Sequence, residues 1–443
     1  MTPKIPNTSL RNFIIIWIGQ LISIIGSSMT SFATNLWAWE LTNQATTLTL
    51  ASFFTILPSI FITPISGLIV DRCNRKLLMI LGDTVAVCLT VMILFLYFTN
   101  QLEIWHLYVI NALRGTFNQI QALAYSTSVV LMVPKRHYAR ASSMEFLSGY
   151  GADIVAPALA GYLYFAIGLA GMALIDVITF AIAISTVILI RIPQPVTKVK
   201  QLTNIWQEVG FGWRYILARK SLLALAFISL LFWLAHDVGG ALYAPMILAR
   251  SHNNTVLLGS LASAAGIGGV VGALIFSTWG GFKHRIHGVL LGMIGAGLSK
   301  MFFGLGNTPS VWMTAQFCSS LNFPLNGSSE TAIWLAKVAP NVQGRVFAAR
   351  SLLLQLGSAV AYLIAGPLAD NVFEPAMQSK SNVLFILGRL FGTDTGAGMA
   401  VIYTICAFLM LLVGFWGYKL RLLRDVETIL PDHDPTANDE YRI

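Results

Sequence analysis

Charge is what this sequence has least of. Of its 443 residues only 11% are Asp, Glu, Lys or Arg, while 56% are hydrophobic. A soluble globular domain carries about 25% charged residues. So few charges cannot cover a water-soluble body of this size, whereas hydrocarbon needs no charged cover. Cysteine is scarce too. Cys73, Cys88, Cys318 and Cys406 form no C-x-x-C pair, and three of them lie inside apolar runs. They read as small core hydrophobes, and neither a metal site nor a disulfide is expected. There is no P-loop, so the chain cannot hydrolyse ATP by itself. Zinc spacings, a nucleophile elbow and a dinucleotide fingerprint are also missing, so neither an enzyme nor a bound cofactor is expected. The glycine-rich stretch at 266–272, GIGGVVG, lies within an apolar span. Helix packing explains it better than phosphate binding.

What abounds is long apolar runs. A bilayer core takes about 20 apolar residues per helix. Runs of that order cover 13–37, 46–70, 77–98, 104–131, 140–165 and 169–190, then 221–247, 256–280, 286–305, 309–335, 346–371 and 398–420. The first is too long for the apolar region of a signal peptide and lacks a clear small-residue cleavage site, so it is expected to remain as a span. The expected fold is therefore an all-α polytopic membrane protein, with twelve transmembrane helices in two pseudo-symmetric six-helix halves. The expected division is an N-terminal half (1–190), a linker with an amphipathic helix (191–220), a C-terminal half (221–424) and a disordered tail (425–443).

The formal net charge of +9 is not spread evenly. One set of loops holds Lys4, Arg11, Arg72, Arg75, Lys76, Lys135, Arg136, Arg140, Arg191, Lys198 and Lys200. The same side gathers Arg214, Arg219, Lys220, Lys283, Arg285, Lys337, Arg345, Arg350, Lys419, Arg421 and Arg424. The opposite loops hold only Arg250, Lys380 and Arg389. This bias places both termini in the cytoplasm of a bacterial inner membrane, which demands an even number of spans. Cations clustered between apolar runs suit an anionic leaflet rather than a phosphate backbone, so lipid is an expected partner and nucleic acid is not. In the linker, Ile205, Val209, Trp213 and Ile216 recur at helical spacing beside Arg214, Arg219 and Lys220. That pattern fits a helix lying on the inner leaflet or a solvated linker helix. Leu384, Phe385, Leu387, Leu390 and Phe391 suggest that the outward loop 373–397 dips into the interface.

Offsetting the halves by 205 residues brings Arg140 onto Arg345 and Ala160–Gly161 onto Ala365–Gly366. The loop ending at Arg75–Lys76 finds a counterpart ending at His284–Arg285 by context, not strict register. Repeated halves are how transporters build a central site that can face either side.

The stretch 67–76, GLIVDRCNRK, carries the strongest motif. It resembles the signature loop of the major facilitator superfamily, G-x-L-a-D-r-x-G-r-k, with Gly67, Asp71, Arg72, Arg75 and Lys76 matching. Asn74 stands where that family has glycine, and asparagine is the non-glycine residue that best tolerates positive φ. The resemblance implies the major facilitator fold and a charge cluster at a cytoplasmic gate, with Arg345 on the other half. Asp71 would pair with arginines or cap a helix N-terminus. The segments 19–27, 39–42, 343–347 and 391–398 look like the branch of macrolide-efflux and siderophore-export permeases. In the fifth run, 156–161 reads APALAG. It resembles the antiporter motif of drug exporters, G-P-x-x-G-G, keeping Pro157 and Gly161 but with alanine at 156 and 160. Small residues there permit close helix approach, and Pro157 loosens the backbone. Ordinary small-residue packing is the rival explanation.

Ionisable groups fall at membrane depth: Asp153, Asp176, Asp237, Glu330, His236 and Arg114. A charge at the bilayer centre costs at least ~2.5–3.5 kcal/mol, so such residues usually face a cavity and carry function. A buried carboxyl favours its neutral form and can exchange a proton between two facing states. Asp153, Asp237 and Glu330 are the candidates for proton coupling, with Arg114 as the cation that tunes them. Proton-coupled members of the resembled family commonly carry an arginine there. Asp176 reads as lying near a helix end, Glu103 and Glu145 as solvated, and His236 as a satisfied core residue. Gln20, Ser27, Asn35, Asn118, Gln121, Asn322 and Asn326 are candidates for a substrate cavity. Trp37, Phe117, Trp233, Tyr243 and Phe323 would form its aromatic walls. That mixed lining suits an amphiphilic small-molecule substrate. The expected activity is secondary export by a monomer through alternating access, driven by the proton gradient. An importer or lipid translocator on the same fold, or a non-transporting receptor or scaffold, is the alternative.

Overall fold

The structure, a computed structural model, describes residues 10–134, 137–190, 192, 205–339, 342–378 and 382–429. Those residues are overwhelmingly helical, as the apolar runs require. With no water in hydrocarbon, a backbone that pairs its own polar groups is the stable form. The elements are α1 (Leu10–Thr42), α2 (Ala45–Arg72), α3 (Arg75–Phe98), α4 (Ile104–Met132), α5 (Tyr138–Leu189), α6 (Ile205–Ala218), α7 (Lys220–Arg250) and α8 (Thr255–Trp279). Next are α9 (Arg285–Leu305), α10 (Pro309–Lys337), α11 (Gln343–Leu368) and a π turn (Ala369–Phe373). The chain continues through α12 (Glu374–Gln378), α13 (Asn382–Phe391), α14 (Ala397–Lys419), α15 (Arg421–Arg424) and α16 (Val426–Ile429).

Among the described residues, nine helical segments are long and apolar enough to cross a membrane. One of them folds back on itself. Gly168, at φ 59° and ψ −167°, breaks α5 into arms 138–167 and 169–189. Glycine alone takes that backbone region without strain. The two 29-residue helices α4 and α10 complete the twelve spans. They are less apolar than the rest because they carry Arg114, Gln121, Asn322, Asn326 and Glu330. Short connections close through residues at positive φ: Asn43 between α1 and α2, Asn100 between α3 and α4, His252 and Asn253 between α7 and α8.

The chain divides into two compact units. The first takes residues 1–43, 50–201 and 254–263, and the second takes 44–49, 202–253 and 264–443. In the first, Phe13, Ile16, Val70, Met79, Val129, Met132 and Val187 form the core. In the second, Phe232, Met293, Trp334, Val346 and Met410 do so. The outer surface stays apolar: Phe95, Phe98, Phe165 and Leu189 are more than half exposed. In lipid such side chains need no cover.

Helix α6 packs along α11 in the second unit. Tyr215 and Ile216 are buried in that core, and a Cβ on Gly212 would stand 2.3 Å from the Arg345 carbonyl oxygen. Glycine is what lets the two backbones approach so closely. The side chains of Ile205 and Val209 lie outside the described residues, as do Lys4, Lys135, Arg136, Arg191, Lys198, Lys200 and Lys380. The stretch expected to be disordered opens with a helical turn, α16. Val426 there is fully buried, and Glu427 accepts a hydrogen bond from the Ile286 amide at 3.3 Å, capping α9. Residues 430–443 lie outside the described residues.

Candidate functional site

The signature loop is a capping device. Asn74 has φ −67° and is the N-cap of α3, its Oδ1 accepting from the amides of Lys76 at 3.0 Å and Leu77 at 3.4 Å. The positive φ expected of it is thus absent. Asparagine serves here because its side chain satisfies orphan amides at the helix start. The bases then cap other helix ends. Arg75 is buried and its Nη1 donates to the Thr127 carbonyl at 2.8 Å, near the end of α4. Lys76 Nζ donates to the carbonyls of Ile188 at 2.7 Å and Ile190 at 2.9 Å, where α5 ends. Cations at helix C-termini oppose the negative end of the macrodipole. Arg72 is exposed, Gly67 has open space around it, and the Asp71 side chain lies outside the described residues. In the second unit Arg285 Nη1 donates to the Ala332 carbonyl of α10 at 3.4 Å. Thr127 and Ala332 are 205 residues apart, the offset of the sequence repeat. Arg345 is exposed and stands 5.3 Å from the centroid of the Phe211 ring.

Inside the first unit, α1, α3, α4 and α5 bring polar side chains together in two layers. One layer centres on Asp176, which is fully buried two turns beyond Gly168, inside the second arm of α5 and not near a helix end as the sequence suggests. Its carboxylate accepts from Ser27 Oγ at 3.0 Å and Thr90 Oγ1 at 2.9 Å. Arg114 Nη2 donates to the same Thr90 oxygen at 3.2 Å, and Nη1 to Ser31 Oγ at 3.3 Å. Thr90 therefore links an arginine to an aspartate. Arg114 was expected to serve Asp153, Asp237 or Glu330; its acid is Asp176.

The other layer lies two turns away on each of three helices, from Ser27 to Gln20, Thr90 to Asp83 and Arg114 to Gln121, or about 10 Å along the axes. Asp83 is only 1% exposed. Gln20 Nε2 donates to its Oδ2 at 3.2 Å, and Gln121 Nε2 donates to its Oδ1. From sequence, Gln20 and Gln121 are expected to line a cavity, and Asp83 is not among the candidates. A lone acid in the apolar run 77–98 was the available signal.

Among the described residues of the second unit, three of the polar groupings involve ionisable groups inside the long apolar helices. Glu330 is 1% exposed and its Oε1 accepts from Arg350 Nη2 and Ser229 Oγ, each at 2.7 Å. Arg350, read from sequence as a loop cation, sits in the second turn of α11 and is spent on this pair. Asp237 accepts from Ser358 Oγ and meets His236 Nδ1 at 3.1 Å. Lys300, not singled out in the sequence, is buried in α9 and donates to the Tyr403 hydroxyl at 3.2 Å, within electrostatic reach of Asp237. Trp233 and Phe323 stack at 5.8 Å, with His236 edge-on to each at 5.0 Å.

The remaining candidates scatter. Asn35 and Asn118 are exposed, and Trp37 and Phe117 half-buried. Asn322 spends its amide on the Cys318 carbonyl at 2.8 Å. Asn326 is 1% exposed and lodged against Gly292 at the α9–α10 seam, a buried place rather than a cavity wall. Tyr243 packs on Phe303 at 5.7 Å. The Asp153 side chain lies outside the described residues. Pro157 and Gly161 meet the start of α8: a Cβ on Gly161 would come within 2.6 Å of the Thr255 carbonyl oxygen, and one on Gly259 within 2.4 Å of that of Pro157. Thr255 Oγ1 also donates to the Gly161 carbonyl at 3.0 Å. Small residues are required there for close approach. Among the described residues, no group of three or more His, Cys, Asp or Glu is placed to hold a metal.

Comparison with known proteins fits this architecture. The sequence matches the family model of the Major Facilitator Superfamily over residues 16–362. It is 26% identical to macrolide efflux protein A of Streptococcus pyogenes over 375 residues, covering 83% of this chain and 92% of that protein. It is 25% identical to macrolide efflux protein A of Enterococcus faecalis over 311 residues, covering 69% and 95%. The fold resembles the crystal structure of a bacterial homologue of the iron transporter ferroportin in its inward-facing state. That match has a TM-score of 0.69 at 14% identity and covers 92% of this chain and 99% of the other.

Proposed function

The chain belongs to the Major Facilitator Superfamily, and from that premise we propose that it is a proton-driven exporter of amphiphilic small molecules, with macrolides as the first class to test. The observation that carries the reading is its likeness to macrolide efflux protein A, which runs along 83% of the chain. Export by alternating access needs no nucleotide site, and the chain has no P-loop. It does need ionisable groups away from water that can trade a proton. Asp83, held by the amides of Gln20 and Gln121, is a group of that kind. The stacked Trp233 and Phe323, with His236 between helices, offer an apolar surface with a polar edge that suits an amphiphile. Working as a monomer in a bacterial inner membrane, with both termini in the cytoplasm, it would exchange inward-moving protons for outward-moving substrate.

The test is erythromycin susceptibility in a pump-deficient bacterium. Cells making the protein should need several-fold more erythromycin to stop growing, and should accumulate less of the labelled drug until an uncoupler collapses the gradient. Unchanged susceptibility across macrolides removes that substrate class. Greater accumulation in the expressing cells would reverse the direction and favour an importer.

A further inference from the structure

Asp83 is a buried acid of the first unit that meets no cation among the described residues. Its layer can be accounted for helix by helix. From α1 comes Gln20, and α1 has no charged residue between Arg11 and Glu40. From α4 comes Gln121. Among the described side chains, the other titratable groups of α4 lie a turn or more along the helix from Gln121. Tyr125 of α4 and Glu145 of α5 are on one side, Arg114 of α4 and Asp176 of α5 on the other. Arg75 and Lys76, at the foot of α3, are taken up by the carbonyls of Thr127, Ile188 and Ile190. An uncompensated carboxylate out of water is costly, and proteins avoid that cost by neutralising the group.

The partners also suit a neutral acid. Arginine only donates hydrogen bonds, so a carboxyl held by arginine is satisfied in its ionised form alone. A glutamine amide donates through nitrogen and accepts through oxygen, and its terminal torsion is broad enough to exchange them. Two glutamines can therefore satisfy Asp83 with its proton and without it. The site is also built to admit Gln121. A Cβ on Gly82 would stand 2.8 Å from both Cβ and Oε1 of Gln121, so glycine at that position leaves the amide room to reach Asp83.

We infer that Asp83 is a proton-carrying carboxyl of this transporter, with Gln20 and Gln121 as positioning residues that serve both of its protonation states. The chemistry is a bare proton transfer: the Asp83 O–H forms when a proton arrives and breaks when it leaves, and nothing is oxidised or reduced. A route to one side is laid out by the next polar groups, Tyr125 OH and Glu145 Oε1, which are buried and have no hydrogen-bond partner among the described residues. Tyr125 is one turn along α4 from Gln121. Glu145 follows Met144, whose carbonyl accepts from Trp17 Nε1 at 2.8 Å, just below Gln20 on α1.

The role in transport rests on the proton-driven reading above, while the proton site can be tested apart from it. The experiment is an infrared pH titration of the detergent-solubilised full chain. It compares wild type with Asp83→Asn, Asp83→Glu and Asp176→Asn. The expected result is a titrating carbonyl band of a protonated carboxyl that is lost in Asp83→Asn and kept in Asp176→Asn. In Asp83→Glu the band should shift in frequency and in midpoint. A band at full strength in Asp83→Asn overturns the inference, as does one unmoved in Asp83→Glu should the asparagine variant fail to fold. Wild-type vesicles in which erythromycin moves no protons would instead overturn the proton-driven reading and leave the band in place.

Discussion

Asp83 in the first unit and Glu330 in the second are buried to the same degree, each 1% exposed. Their surroundings differ in kind. Glu330 faces Arg350 at 2.7 Å with Ser229 as a further donor, so charge is met by opposite charge. Asp83 faces two neutral amides. Burial alone therefore says little about what an acid does in a membrane protein. A paired acid ties helices together through its cation, whereas one held by amides has partners that serve it with or without a proton. Asp176 sides with Glu330, because Thr90 links it to Arg114.

The largest effect should come from breaking the charged pair. Arg350→Leu strands Glu330 without its cation and is expected to cost about 3–5 kcal/mol, read as a large drop in the melting temperature of the solubilised protein. Asp83→Asn keeps a hydrogen-bonding group of nearly the same shape, so its melting temperature should stay close to wild type. Equal losses in the two variants would erase the distinction. Next comes Gly82→Ala, whose Cβ would collide with Gln121. An overpacking cost of about 1–3 kcal/mol is expected, together with a displaced titration of the Asp83 band. Gly26→Ala, which would press on Thr179 beside the Asp176 layer, should cost about as much by the same overpacking, and it should leave the band alone.

A third variant set asks to which class Asp237 belongs. A double-mutant cycle with Asp237→Asn and Lys300→Met should return a coupling of about 0.5–3 kcal/mol if the two charges answer each other. A coupling near zero would group Asp237 with Asp83. The smallest effect belongs to the signature loop. Asn74→Ala removes a neutral cap and should cost about 1 kcal/mol, Asn74→Gly only a few tenths, both read from melting curves.

The sequence made the spans legible because each is a run that hydrocarbon itself demands. The gap between the runs 140–165 and 169–190 sits at the fold-back on Gly168. Asp83 and Lys300 were not legible, because a single charge inside an apolar run reveals nothing of its partners. Those of Asp83 lie 63 and 38 residues away along the chain, and Tyr403 lies 103 residues from Lys300. Asn74 was misread because positive φ and N-capping both favour asparagine, and only the backbone distinguishes them. Arg350 was counted with the loops because a helix start and a loop end look alike when cations crowd both. The cavity candidates scattered for a related reason. Polar residues on a membrane helix face either a cavity or a neighbouring helix, and spacing alone does not tell which, as Asn326 shows.

The most direct measurement of the central claim is proton movement in reconstituted vesicles with an acidic lumen and a pH-sensitive dye inside. On adding erythromycin outside, wild-type vesicles should turn alkaline within as drug enters and protons leave. Asp83→Asn vesicles should show no more than the slow rise of protein-free vesicles, in which the amine of the leaking drug takes up luminal protons. Alkalinisation as fast in Asp83→Asn as in wild type would contradict the account.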